Sequence, residues 1–267
     1  MLERLLITGA NGNLGSICRQ RLGHLAKTVR VSARRGLGAA GPNEEIVYCD
    51  LDDKVAVEAL VEGCDGIVHM GGRAVEGTWE TVKAANIDGM FNLYEAARKS
   101  SVQPRIFFAS SHHTTGFHAQ TTRLDASSSP VRPDGLYGVS KVFGEALARM
   151  YYDKFGIETA SVRIGSCFPE PPSHRMMSSW LSADDLISLI ERIFAVPHLG
   201  CPVLYGVSDN TSKWWDNSVV DYLGWRPKDD SERFRAKLNK EQKKPRRDEP
   251  DATYQGGLFC TDGIHED

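Results

Sequence analysis

Thr8-Gly9-Ala10-Asn11-Gly12-Asn13-Leu14-Gly15 decides the fold of this 267-residue chain. The stretch follows the apolar run Leu5-Leu6-Ile7 and opens a helical pattern that runs through Leu22. Glycines at this spacing allow a tight turn, close backbone approach to a pyrophosphate, and packing of helix on strand. The start of the helix adds unpaired N–H groups and the positive end of its dipole. Gly9, Asn11, Gly12, Asn13 and Leu14 are therefore candidate dinucleotide contacts. The Gly-x-x-Gly-x-x-Gly spacing differs by one residue from the commonest fingerprint and is weak in isolation. Its weight comes from its place at the first strand–helix junction of an alternating chain.

The alternation continues downstream. Val29-Arg30-Val31 and Ile46-Val47-Tyr48 read as strands, Lys54–Val61 as a helix, and Gly66-Ile67-Val68-His69-Met70 as a fourth strand. Residues 86–99 read as a helix that buries Phe91, Leu93, Tyr94 and Ala97. A fifth strand, Arg105-Ile106-Phe107-Phe108-Ala109, a long helix Leu136–Phe155 and a sixth strand Thr159–Ile164 follow. This rhythm predicts an α/β fold: a Rossmann-type, doubly wound parallel sheet with right-handed crossovers. After Gly165 it stops. Pro169, Pro171 and Pro172 break regular structure, Ser182 starts another helix, and Trp214, Trp215 and Trp225 are expected to cluster. We read residues 1–165 as the dinucleotide-binding region. Residues 166–267 form a small substrate-covering C-terminal lobe and a polar tail, all within one integrated domain.

The second strand ends near Ser32-Ala33-Arg34-Arg35. An acidic residue there would hydrogen-bond the adenosine ribose and select NAD. Ala33 offers no such group, while Arg34 and Arg35 suit a 2′-phosphate, so these residues lean to NADP. Asp50-Leu51, after the third strand, is placed to touch the adenine.

Tyr137 and Lys141 lie one helical turn apart, on one face. Free tyrosine titrates near ~10, and lowering that by ~3 units takes ~4 kcal/mol. An ammonium ~5 Å away at an effective dielectric of ~20 supplies roughly 3 kcal/mol. The pair therefore suits a general base for a hydroxyl proton, with a cationic nicotinamide supplying the rest.

Composition narrows the rest. Thirty-two basic and 35 acidic residues leave a net charge of −3, so no global field favours nucleic acid or an anionic membrane. No stretch approaches the ~18 apolar residues of a membrane span, and the N-terminus reads as a strand rather than a leader. Six scattered cysteines contain no Cys-x-x-Cys pair and no zinc spacing, which suits reduced thiols in a cytoplasmic protein. Adjacent His112 and His113 on an extended segment would face opposite ways, so at most one enters a pocket and no metal is expected. A homo-oligomer is compatible with the exposed aromatic residues, but nothing in the sequence locates an interface.

The glycine turn, Ser110-Ser111 and Tyr137-x-x-x-Lys141 together resemble an extended, epimerase-like short-chain dehydrogenase/reductase. Asn92-Leu93-Tyr94-Glu95-Ala96-Ala97-Arg98, Arg163-Ile164-Gly165-Ser166-Cys167, Trp214-Trp215-Asp216-Asn217, Leu223-Gly224-Trp225 and Gln255-Gly256-Gly257 are similar to the bacterial uronate dehydrogenases. That resemblance implies oxidation of D-galacturonate or D-glucuronate at C1 to an aldarolactone, with NAD as the usual acceptor. It implies Tyr137 as base, Lys141 as its electrostatic partner holding the nicotinamide ribose, and Ser111 orienting the anomeric hydroxyl. His113 and Ser166 would lie at the substrate, and Arg175 would clamp its carboxylate. A planar guanidinium matches a carboxylate bidentately, which gives the last role its own rationale. The chain departs from the resemblance at Ala33, where an aspartate is expected, at His112 for asparagine, and at Ala74 for serine. It also departs in Gly116-Phe117-His118-Ala119. The competing readings are a nucleotide-sugar epimerase or dehydratase of the same fold, and a non-catalytic dinucleotide-sensing protein.

Overall fold

The computed structural model describes residues 1–266. In chain order the first half comprises β1 (Leu2–Thr8), α1 (Asn13–Arg21), β2 (Ala26–Ala33), β3 (Glu44–Tyr48), α2 (Lys54–Val61), β4 (Gly66–His69), α3 (Trp79–Val82), α4 (Gly89–Lys99) and β5 (Arg105–Ser111). β6 (Leu124–Asp125), α5 (Leu136–Phe155), β7 (Thr159–Ile164), α6 (Met176–Ser179), α7 (Ala183–Ala195), β8 (Val203–Gly206), β9 (Trp215–Asp216), α8 (Arg235–Glu241) and α9 (Pro250–Thr253) follow. Seven strands form one sheet in the order β3-β2-β1-β4-β5-β7-β8, all pairings parallel. The order reverses between β1 and β4, and the strands' C-terminal ends there form the crevice where ligands bind in such sheets.

Side-chain alternation builds the two layers. Along β1, Leu5 and Ile7 enter one core while Leu6 enters the other; along β5, Phe107 opposes Ile106 and Phe108. Burial on both faces is why these strands read as continuous apolar runs. One layer packs Leu186, Leu189, Ile190 and Ile193 of α7 with Cys18 of α1. The other packs Val57, Leu60 and Val61 of α2, Leu93 and Tyr94 of α4, and Ala148 and Tyr151 of α5. Ser182 caps α7, its Oγ accepting from Asp185 N at 3.0 Å.

Three local readings are corrected. The helix expected from residue 86 is interrupted: Lys83–Asp88 is π-helical and the α-helix starts at Gly89. Phe91 is 45% exposed, because α4 presents it on the side away from buried Leu93 and Ala97. Trp225 leaves the tryptophan cluster: Trp214 packs edge-on to Trp215, whereas Trp225 joins the α7 layer and donates to Ser188 Oγ at 3.1 Å. No helix among the described residues is long and apolar enough to cross a membrane.

Candidate active site

The glycine turn forms a cradle at the switch point. Gly9 has φ +64°, and a Cβ there would sit 2.8 Å from the backbone of Met70 and Gly71. A Cβ on Gly15 would meet Gly9 O at 2.0 Å, so α1 packs on the turn only with glycine. No side chain caps α1, and its first turn holds no acidic residue, which leaves the N–H groups of Asn13 and Leu14 to an anion. Asn11 Nδ2 donates to Arg35 O at 2.7 Å, tying the turn to the end of β2. Asp50 is exposed after β3, while Leu51 lies beneath Gly71, whose Cβ would approach Leu51 Cδ1 to 2.7 Å. These features fit a dinucleotide pyrophosphate at the turn. The sequence reading missed Gly71, which is buried and whose N–H is held by Thr8 Oγ1 at 3.0 Å.

Tyr137 and Lys141 lie in the first two turns of α5, both buried. Glu76 fixes that helix end: its carboxylate accepts from Leu136 N and Tyr137 N, each at 3.1 Å. A Cβ on Gly135 would come within 2.1 Å of Glu76 Oε2, so glycine is required there. Lys141 Nζ donates to Ala109 O at 2.9 Å and lies 5.7 Å from the Tyr137 ring centre. The expected lysine-driven lowering of the tyrosine pKa is not what the protein alone produces. Burial pushes Tyr137 up to about 12, opposed by hydrogen bonding with Ser111, and Asp134 adds to the rise. Burial likewise lowers Lys141 to about 8, with Glu145 opposing. Desolvation dominates at both groups, so a phenolate needs further positive charge.

Behind the pair, Ser110 Oγ donates to Glu145 Oε1 at 2.6 Å, and Arg163 binds the same carboxylate bidentately at 2.9 and 2.8 Å. Ser110 thus belongs to a buried scaffold, whereas Ser111 faces Tyr137. Glu145→Gln leaves the Arg163 charge undercompensated and should cost about 3–5 kcal/mol, read from the urea midpoint.

His112 and His113 lie in a 3-10 turn, not an extended segment, so they do not face opposite ways. Both rings are buried, with centroids 4.2 Å apart. His112 Nδ1 donates to Ile164 O at 3.1 Å, and its Nε2 is buried without a partner. His113 Nδ1 pairs with Asp134 Oδ2 at 2.7 Å, and its ring packs against Tyr137 and Phe259 with centroids 5.9 and 4.1 Å away. Arg175, at the start of α6, is 6% exposed. Its Nε binds Asp251 Oδ1 at 3.1 Å and its Nη1 binds Gln255 O at 2.8 Å, while Nη2 donates to no described residue. Gln255 Oε1 also accepts from Trp215 Nε1 at 2.8 Å. The segment read as a polar tail therefore supplies a wall: Gln255 is fully buried, and Phe259 covers His113. Ser166 is buried, but its Oγ pairs with Ser179 Oγ at 2.8 Å and no hydrogen bond links it to the other candidates.

Residues 5–185 match the NAD dependent epimerase/dehydratase family. Uronate dehydrogenase of Agrobacterium fabrum is 54% identical over 263 residues, covering 98% of each chain. The chain belongs to the uronate dehydrogenases. The crystal structure of a uronate dehydrogenase from Agrobacterium tumefaciens, a tyrosine-to-alanine mutant complexed with NAD, superposes with a TM-score of 0.97 at 54% identity, covering 99% of each chain. That of glucuronic acid dehydrogenase from Chromohalobacter salexigens gives 0.96 at 53%, covering 98% of each.

Asp134, which the sequence reading passed over, sits where this uronate dehydrogenase chain has two glycines. A Cβ on Gly116 or Gly256 would meet its Oδ2 at 1.8 or 2.0 Å. Burial pushes the Asp134 carboxyl up to about 6, with the His112 and Arg175 charges pulling it back. Burial and the Arg175 charge lower His113 to about 3. Tyr137 and Cys260 also feel the Asp134 charge. Above pH about 6 the carboxylate accepts from His113 Nδ1–H and fixes Nε2 as an acceptor; below it the pair takes up a second proton. The substrate KM should therefore rise as pH falls through about 6, and Asp134→Asn should flatten that limb. The sign for stability is opposite. A carboxyl raised above its usual 3.8 favours the folded state below that value and loses the contribution as pH climbs through about 6. Asp134→Asn should accordingly keep or raise Tm at pH 8, separating its effect on substrate from misfolding.

Proposed function

We propose that this chain oxidises C1 of a hexuronic acid, D-galacturonate or D-glucuronate, to an aldarolactone while a nicotinamide dinucleotide is reduced. One observation carries the reading. The buried Tyr137–Lys141–Ser111 group adjoins His113, whose ring lies 5.9 Å from that of Tyr137 and feels the charge of buried Arg175, a side chain that keeps one nitrogen without a partner. Tyr137 takes the anomeric hydroxyl proton, Ser111 holds that oxygen, and the C1–H bond breaks as C1 becomes a carbonyl. The ring oxygen keeps both its bonds, so the product is a lactone. Oxidised nicotinamide, held beside Lys141, would supply the hydride acceptor and the positive charge that Tyr137 needs. Arg175, held by Asp251 and Gln255, meets the substrate carboxylate with its remaining nitrogen, and His113 accepts from a sugar hydroxyl. The glycine turn would hold the pyrophosphate and Asp50 and Leu51 the adenine, while Ser166, two residues beyond the end of β7, would line the substrate side. The six free thiols suit a reducing, cytoplasmic setting.

The test follows reduced nicotinamide by absorbance with galacturonate, glucuronate and neutral galactose. Oxidation of both uronates, with galactose far slower, is expected. Galactose reacting as fast as galacturonate would remove the Arg175 role, and no reaction with either uronate would sink the activity.

A further inference from the structure

We propose that the end of β2 is a 2′-phosphate subsite, so that this protein takes NADP at least as readily as NAD. The inference rests on the reading of the chain as a dinucleotide-dependent dehydrogenase and names which dinucleotide it takes. In a doubly wound sheet the residue at the end of the second strand meets the adenosine ribose, and a carboxylate there bonds its 2′-hydroxyl and repels a phosphate. Here that position is Ala33, 6% exposed and fixed by its carbonyl, which accepts from Cys49 N at 3.2 Å. The next two residues are Arg34 and Arg35, both exposed.

Their backbone is held beside the phosphate turn on two sides. Asn11 Nδ2 donates to Arg35 O at 2.7 Å, and Arg19 Nη1 binds the carbonyl of buried Leu37. Gly36, with φ +78°, turns the chain between these anchors. The neighbouring arginines are already committed: Arg4 and Arg30 pair with Glu45, and Arg19 with Glu44. Arg34 and Arg35 bind no carboxylate, carbonyl or ring among the described residues. Two uncommitted guanidiniums, tethered to the turn that takes the pyrophosphate and lacking the repelling acid, suit a phosphate dianion on the ribose.

The test needs no sugar. Calorimetric titration with adenosine 2′,5′-bisphosphate and with adenosine 5′-monophosphate should show the bisphosphate binding at least ~10-fold tighter, a gap that narrows with salt. The double variant Arg34→Ala/Arg35→Ala should close the gap, and Ala33→Asp should reverse it. The NADP-to-NAD ratio of kcat/KM with a uronate should fall in parallel. Equal affinity for the two nucleotides in the unaltered protein would overturn the proposal, as would a gap that survives in the double variant. A gap without uronate oxidation would sink the activity and leave the subsite standing.

Discussion

Tyr137→Phe lowers kcat for uronate oxidation by roughly 10²–10⁴-fold, the span general-base catalysis contributes, while the protein still binds its dinucleotide. The change removes one oxygen from a ring that is 6% exposed and packs edge-on to His113, so it opens almost no cavity. What it removes is the atom proposed to take the proton. The hydroxyl hydrogen-bonds with Ser111 and carries no structural load comparable to the Tyr137 backbone, which Glu76 grips at the start of α5. Tm should therefore stay close to that of the unaltered protein. Because burial pushes the Tyr137 pKa up to about 12, the rate should climb with pH toward the lower value that a bound, positively charged nicotinamide would set for the phenolate. That climb should disappear in the phenylalanine variant. Substantial turnover by Tyr137→Phe would falsify the assignment of the base.

Local pattern made much of this legible. The bounds of α2, α5 and β7 follow from apolar spacing and breakers, and the glycine turn and the Tyr137/Lys141 spacing mark two corners of the site. The chain's membership among uronate dehydrogenases was legible in its motifs as well. What stayed hidden is long-range or electrostatic. Glu76 reaches α5 across 61 residues to Tyr137 N, and no local rule links a loop glutamate to a helix that distant. Asp134 is buried only because Gly116 and Gly256, from two different segments, leave it room. The π-helical stretch before α4 places Asn86 to bond Ser140 Oγ at 2.9 Å and the Arg73 backbone, a tertiary requirement that overrides helical periodicity. The Tyr137–Lys141 electrostatics erred for a related reason. Spacing shows that the charges are near, while the cost of desolvating them depends on everything packed around.

Arg175→Lys lowers kcat/KM for galacturonate by roughly 10- to 150-fold, the loss expected for a charged hydrogen bond of about 1.5–3 kcal/mol. Arginine offers three directions in one plane: Nε meets Asp251, Nη1 meets Gln255 O, and Nη2 is free for the proposed carboxylate contact. A lysine ammonium keeps the charge but cannot span three directions. A structural explanation is open as well, since Arg175 pins the segment that bears Gln255 and Phe259 over His113. The two causes separate by substrate. Loosening that wall would slow galactose and galacturonate alike, whereas loss of the carboxylate partner penalises only the uronate. The expected result is a rise in the galactose-to-galacturonate ratio of kcat/KM. Asp251→Asn is the second arm: it keeps the guanidinium, removes the anion bound to Nε, and so should loosen the wall while sparing most of the preference for uronate. If Arg175→Lys and Asp251→Asn lower both substrates in the same proportion, Arg175 is a strut for the C-terminal wall and the carboxylate is held elsewhere.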